Sequence, residues 1–235
     1  MTEENVVGVP VDQISIRRKS RSHIAVIGTP NAGKSTLFNR LTGLRQTTGN
    51  FPGVTVERHT GVLQVGDTAM TLEDLPGIYS LSGQSTDEAI AVDAILGRFD
   101  GQTQPDALLV VIDAAHLYQG LYLLEQLLEL QRPTLVALTM VDAALAQGIS
   151  IDTEALSKAL GGVPVCPVAT TQGKGIDALR EQLADLPSLQ PPFVPASWPA
   201  LSKTAQSLSA ASGGHLSRID VIQGLMYPRG PEHNA

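Results

Sequence analysis

Between His23 and Leu186 the apolar positions fall into short blocks that alternate between strand-like and helix-like spacing. His23–Gly28 is a short apolar run that enters a glycine-rich turn, and Gly33–Gly43 reads as a helix. His59–Val65 and Thr68–Asp74 predict two strands joined at Gly66-Asp67, a hairpin dipeptide flanked by alternating residues. Further on, the pattern predicts a helix over Asp87–Leu96, a buried strand over Ala107–Ile112 and a leucine-rich helix over Leu121–Leu130. A strand over Thr134–Leu138 starts after Pro133, and a helix over Thr153–Leu160 is closed by Gly161-Gly162. A strand over Val163–Val168 and an amphipathic helix over Gly175–Leu186 complete the series. One antiparallel hairpin followed by βα repeats predicts an α/β fold, a mostly parallel sheet with helices on both faces. Such sheets take their ligands at the carboxyl ends of the strands.

The flanks carry no such pattern. Residues 1–21 are polar, lack a helical period and end in Arg17, Arg18, Lys19 and Arg21, which predicts a flexible extension. As an anchor to an anionic membrane, four charges barely suffice. Pro187, Pro191, Pro192, Pro195 and Pro199 make residues 187–199 a proline-rich linker. Residues 200–235 are expected to form a partial helical domain or tail. Weak periodicity over 200–227 is split by Gly213-Gly214, and the piece is too short to bury a core alone. That leaves one domain over residues 22–186.

Composition narrows the class. The chain has 235 residues, one domain plus a remainder, with 43% hydrophobic and 17% charged residues, which excludes a disordered or collagen-like chain. Its single cysteine, Cys166, cannot form an intrachain disulfide and is expected to pack in a strand. A net charge of -7 argues against nucleic acid as a partner. No apolar run approaches the roughly 18 residues of a membrane span, and the N-terminus lacks the apolar core of a signal peptide. The chain is therefore expected to be cytosolic, or the cytosolic part of something longer.

The chemistry is concentrated in four segments. Gly28-Thr29-Pro30-Asn31-Ala32-Gly33-Lys34-Ser35 matches G-x-x-x-x-G-K-[ST] between a predicted strand and a predicted helix. Its glycines permit close backbone approach, and the N–H groups of the turn and helix N-terminus face the phosphates of a nucleotide. Lys34 supplies a point charge to the β- and γ-phosphates, the Ser35 hydroxyl is a Mg²⁺ ligand, and Thr36 continues the contact surface. Asp74-Leu75-Pro76-Gly77 is D-x-x-G at a strand end, forty residues after Lys34. Asp74 is expected to hold Mg²⁺, through a water, and the Gly77 N–H to meet the γ-phosphate. Thr139-Met140-Val141-Asp142 follows the next apolar strand and departs from [NT]-K-x-D at the lysine. The two oxygens of Asp142 suit the N1–H and N2 amino donors of guanine, a pair that adenine lacks, so Asp142 is expected to select GTP. The backbone of Val168-Ala169-Thr170 is the expected partner of guanine O6.

With these segments the chain resembles the N-terminal G domain of ferrous iron transport protein B (FeoB), a Ras-like P-loop GTPase fold. The matching stretches are Gly28–Gly43 (GTPNAGKSTLFNRLTG), Gly49–Glu57 (GNFPGVTVE), Asp74–Leu81 (DLPGIYSL) and Val111–Glu125 (VIDAAHLYQGLYLLE). The resemblance covers about residues 23–186, and its most specific parts are the NxPGVTVE block and Met140 within Thr139-Met140-Val141-Asp142. The resemblance implies that Gly53, Val54 and Thr55 belong to switch I, with Thr55 closing on Mg²⁺ and the γ-phosphate. It implies that Asn31 helps to hold K⁺ beside the phosphates, where a cation neutralises charge in the transition state. Asn31, Lys34, Thr55 and Gly77 are then the catalytic candidates. Ile78 stands where Ras-like enzymes place a water-positioning glutamine, so slow intrinsic hydrolysis is expected.

In the family a helical domain and a large transmembrane region follow the G domain. The implied role is a nucleotide-dependent switch on an iron-permease region in the same or a partner chain, at the cytoplasmic side of the inner membrane. This chain departs from the pattern in the 22 residues before His23 and in its short helical part, and alone it is not expected to move iron. Its five histidines, His23, His59, His116, His215 and His233, have no metal-ligand spacing. Two alternatives share the motif order. A GTPase of ribosome assembly or tRNA modification would carry a basic surface or an RNA-binding module. A regulatory GTP-binding module with negligible turnover is compatible with Ile78.

Overall fold

A computed structural model of the chain describes residues 21–83 and 85–192, together with Ser207, Leu208, Ala210 and Ala211, which are helical. The N-terminal extension except Arg21, most of the proline-rich linker and most of the expected helical tail lie outside the described residues.

The order of elements is β1 (Ser22–Gly28), α1 (Lys34–Thr42), β2 (Gln46–Asn50), β3 (Glu57–Val65), β4 (Thr68–Asp74), α2 (Thr86–Leu96), β5 (Ala107–Asp113), α3 (Leu117–Leu128), β6 (Thr134–Thr139), α4 (Val141–Ala146), α5 (Thr153–Ala159), β7 (Val165–Pro167) and α6 (Ile176–Asp185). They form one seven-stranded sheet in the order β2-β3-β4-β1-β5-β6-β7. The β2–β3 and β3–β4 pairs are antiparallel and the others parallel. This is the mixed, mostly parallel sheet expected from the pattern.

Strand periodicity puts alternate residues of β1 into two cores. Ala25 and Ile27 pack with Ile95 of α2 and Leu124 of α3, all fully or almost fully buried. Ile24 and Val26 pack on the other face with Phe38 of α1 and Leu179 of α6. The central strands read as continuous apolar runs because both faces are covered; every residue of β5 and β6 is buried. Local chemistry sets the ends of the helices. Ser85 and Glu88 form a reciprocal capping box on α2, and the Asp152 side chain accepts from the N–H groups of Glu154 and Ala155 to start α5.

The structure differs from the sequence pattern in four places. β2 was not expected: its five residues, Gln46–Asn50, are all exposed and polar, so this edge strand carries no apolar alternation. The short α4 directly after Met140 was not expected either. α3 begins at Leu117 rather than Leu121, behind a 3-10 turn whose Ala115 N–H is capped by Asp113 at 2.8 Å. β7 is confined to Val165–Pro167, inside the expected 163–168, although the Pro164 carbonyl and the Val168 N–H still bond to β6.

Candidate functional site

The carboxyl ends of β1, β4, β5 and β6 lie side by side, and the loops that leave them build the site. β1 ends against β5 so tightly that a Cβ on Gly28 would lie 2.6 Å from the Val111 carbonyl oxygen. The loop beyond it turns back through an Ala32 N–H to Thr29 carbonyl bond of 3.2 Å. Asn31 has φ 65° and Gly33 φ 82°, left-handed conformations that asparagine and glycine adopt most readily. Gly33 caps α1, where no side chain caps the first turn and no acidic residue occupies it. The free N–H groups and the positive end of the helix dipole therefore face the loop's concavity, a favourable place for an anion.

Asp74, the last residue of β4, meets this loop. The Lys34 ammonium is ion-paired with Asp74 Oδ1, and Ser35 Oγ donates to Asp74 Oδ2 at 2.8 Å. Lys34 and Asp74 are buried, whereas Ser35 lies at the surface. The following turn is tied to β1 by the Leu75 N–H to Val26 carbonyl bond (3.2 Å) and the Ile78 N–H to Gly28 carbonyl bond (3.1 Å). Gly77 packs on the loop so closely that a Cβ would lie 3.0 Å from Pro30 Cα. Ile78 is fully buried in the core, so the side chain after Gly77 points away from the site.

Thr139, at the end of β6, is fully buried, and its Oγ1 lies 2.7 Å from the Ala32 carbonyl and 3.1 Å from that of Ile112. One hydroxyl thus joins the phosphate-loop segment to β5 and β6. Met140, at φ 54°, reaches Gly33 with its terminal methyl, 3.8 Å from where a Cβ would stand. Asp142, half-buried in the first turn of α4, accepts the Ala143 N–H on Oδ1 and the Gln172 side-chain amide on Oδ2, each at 3.0 Å. Val168, Ala169 and Thr170 are buried beside it, with the Val168 N–H bonded to the Leu138 carbonyl at 2.8 Å. A cleft of about 390 Å³ opens here, lined by Val141, Asp142, Leu145, Ala169, Gln172 and Lys174 among others.

The structure thus brings together Gly28–Ser35, Asp74, Gly77, Thr139, Met140, Asp142 and the 168–170 loop. Thr36 is exposed on α1. Thr55 is not joined to the cluster: it is exposed on the Phe51–Val56 loop, and no hydrogen bond among the described residues ties it to Ser35 or Asp74. Gly53 is exposed and Val54 half-buried on the same loop. Phe51 anchors the loop. It is buried, its N–H bonds the Val56 carbonyl at 3.0 Å, and its ring stacks on Phe99 at 5.5 Å.

Sequence reasoning missed two groups of polar residues next to this machinery. The first is Gln172, which belongs to no motif. The second surrounds Glu73, 2% exposed, which accepts from Arg58 Nε at 2.6 Å and lies 2.6 Å from His23 Nε2. Burial pushes the Glu73 carboxyl upward, but the hydrogen bonds from His23 and Arg58 outweigh it and hold the group below its ordinary range. No signal in the sequence marks the second group, since Glu73 stands beside Asp74 at the end of β4 and its partners come from β1 and β3. Cys166 is buried in β7, and burial raises its thiol pKa. Among the described residues no group of three or more His, Cys, Asp or Glu side chains is placed to hold a metal ion.

Comparison with known proteins places this geometry in a family. The family model for ferrous iron transport protein B matches residues 22–183. The chain belongs to that family. The Fe(2+) transporter FeoB of Salmonella typhimurium is 50% identical over 161 residues, which are 67% of this chain and 20% of the relative. The chain thus spans about a fifth of the length of the curated FeoB proteins it matches. The cytosolic domain of Legionella pneumophila FeoB superposes with a TM-score of 0.74 at 39% identity, covering 86% of this chain and 85% of that one. The cytosolic domain of T. maritima FeoB in its GMPPNP form gives 0.73 at 32% identity, covering 86% and 78%. The fold is therefore that of the FeoB G domain, a GTPase-type domain. No helix among the described residues is long and apolar enough to cross a membrane.

Proposed function

We propose that this chain binds GTP with Mg²⁺, hydrolyses it slowly to GDP and phosphate, and acts as a nucleotide-dependent switch on a transmembrane ferrous-iron region. The observation that carries the reading is the Lys34–Asp74–Ser35 cluster at the foot of an uncapped α1, held to Thr139 through Ala32. The T. maritima relative in GMPPNP form supports nucleotide binding. We assign residues 22–186 to the G domain.

In this reading the backbone N–H groups of Gly28–Thr36, Pro30 excepted, cradle the phosphates, which compete with Asp74 for the Lys34 ammonium. Ser35 and Asp74, hydroxyl and carboxylate oxygens 2.8 Å apart, suit the hard Mg²⁺ ion, and Thr55 would join them when switch I closes. Held there, Mg²⁺ would supply positive charge against the charge that develops on the phosphates. The Gly77 N–H meets the γ-phosphate. The Asn31 side chain is exposed and makes no hydrogen bond to a described residue, so its amide oxygen is available to K⁺. Thr139 fixes the phosphate loop, the Met140 side chain runs to Gly33 where a lysine is usual, Asp142 reads the guanine edge, and the 168–170 backbone meets O6. With Ile78 turned into the core, backbone groups of switch I orient the attacking water, and the rate is slow. The switch acts when the 50–57 and 74–84 loops order on the γ-phosphate and relax after its loss. The iron-permease region, in the same or a partner chain, places the domain at the cytoplasmic side of the inner membrane.

Single-turnover GTP hydrolysis in K⁺ and in Na⁺ tests the catalytic part. The wild type is expected to be faster in K⁺, and Asn31→Ala to lose that difference. A K⁺ effect that survives in Asn31→Ala removes Asn31 from the cation site. No turnover above background in either salt favours the binding-module alternative.

A further inference from the structure

Asp142, the proposed reader of guanine, is anchored on both oxygens. Oδ1 accepts the Ala143 N–H and Oδ2 accepts Gln172 Nε2, each at 3.0 Å. Gln172 is thirty residues further along, yet it stands on a braced turn. Its own N–H bonds the Ala169 carbonyl at 3.1 Å, and the Ala169 N–H bonds the Lys174 carbonyl at 3.0 Å. Arg40, in the last turn of α1, donates to the Thr171 carbonyl at 3.2 Å. The turn closes at Gly175, at φ 79°, where a Cβ would lie 2.2 Å from the Pro167 carbonyl oxygen. The amide that reaches Asp142 therefore comes from a fixed base.

The torsion that sets the plane of an aspartate carboxylate is broad and roughly two-fold, so a free Asp142 would sample many planes. An ionised carboxylate has about four acceptor positions. Ala143 and Gln172 take one on each oxygen. One remains on each oxygen, the arrangement required by a base that presents two adjacent donors. We propose that Gln172 is a specificity-determining positioning residue: its amide fixes the Asp142 carboxylate for a purine carrying both N1–H and a 2-amino group. This rests on the reading of Asp142 given above. The ligand class is guanine nucleotides, as distinct from hypoxanthine nucleotides, which offer N1–H alone.

The test is calorimetric titration of the full chain with GDP, IDP and ADP. Gln172→Met keeps the length and removes the donor; Gln172→Lys keeps a donor. Gln172 is exposed, so both variants are expected to melt with the wild type. Gln172→Met should weaken GDP about three- to tenfold, the factor of one net hydrogen bond, and leave IDP within about twofold. The preference for GDP over IDP then falls by the same factor, and Gln172→Lys restores most of it. If Gln172→Met binds GDP as well as or better than the wild type, Gln172 does not position Asp142. Equal weakening of GDP and IDP makes it a structural brace and overturns the proposal. A wild type that binds ADP as tightly as GDP overturns the guanine reading itself, and this inference with it. Clear GDP preference in the wild type with no effect of Gln172→Met overturns the inference alone.

Discussion

The Thr139 hydroxyl is the joint between the nucleotide-facing loops and the sheet, and Thr139→Val isolates it. Valine matches threonine in shape and removes the donor from the Ala32 and Ile112 carbonyls, 2.7 and 3.1 Å away. Thr139 is 0% exposed, so water cannot replace the lost bond. Leaving one buried acceptor unpaired costs about 1–3 kcal/mol. In a domain of this size each kcal/mol moves Tm by about 2–4 °C, so a fall of about 2–12 °C is expected. Thr139→Ser keeps the hydroxyl and loses one methyl, worth about 0.8 kcal/mol or somewhat more in a close-packed core. Equilibrium urea unfolding of the three proteins, with unchanged m, ranks them wild type, Ser, Val. GDP affinity should follow the same order, because the joint sets the Ala32 peptide in the phosphate loop. If the valine variant matches the wild type within about 0.5 kcal/mol while the serine variant is weaker, methyl packing holds this junction and the hydrogen bond does not.

Two further outcomes follow from the polar and titratable groups in the core. Because Glu73 is held below its ordinary pKa, its stabilising contribution is complete above the unfolded value of about 4.3 and is lost as pH falls through the folded value. Glu73→Gln should unfold more easily at pH 7, by somewhat less than the roughly 3–5 kcal/mol of a fully buried broken pair because Arg58 is partly exposed, and should lose less further stability on acidification; equal acid slopes for the two proteins would contradict this. Burial and a raised pKa make Cys166 slow to react with a disulfide reagent at pH 8 in the native protein and fast in urea, and rapid native labelling would show that the β7 edge opens.

The parts of the fold legible in the sequence are those in which one physical requirement fixes both residue type and spacing. β5 and β6 could be read because strands buried on both faces must be apolar throughout. The Gly28–Ser35 loop could be read because close phosphate approach demands glycine, lysine and a hydroxyl in a fixed order. β2 could not, since an exposed edge strand made of Gln46, Thr47, Thr48, Gly49 and Asn50 has no apolar face to announce it. β7 is shorter than expected: Val163 and Val168 are buried like strand residues, although regular pairing with β6 covers only Val165–Pro167. Gln172 and the Glu73–Arg58–His23 group were invisible for a different reason. Their partners lie 30, 15 and 50 residues away, and only the folded sheet brings them within reach. Thr55 marks the opposite limit. The role expected for it rests on the family resemblance alone, and no hydrogen bond among the described residues ties it to Ser35 or Asp74.

Phosphate release from GTP and from ATP, each with Mg²⁺, by the wild-type chain and by Lys34→Ala, tests the central claim most directly. Multiple turnovers with GTP, background release with ATP and loss of GTP turnover in Lys34→Ala are the predicted result. Equal release from ATP, or a Lys34→Ala chain as active as the wild type, would contradict it.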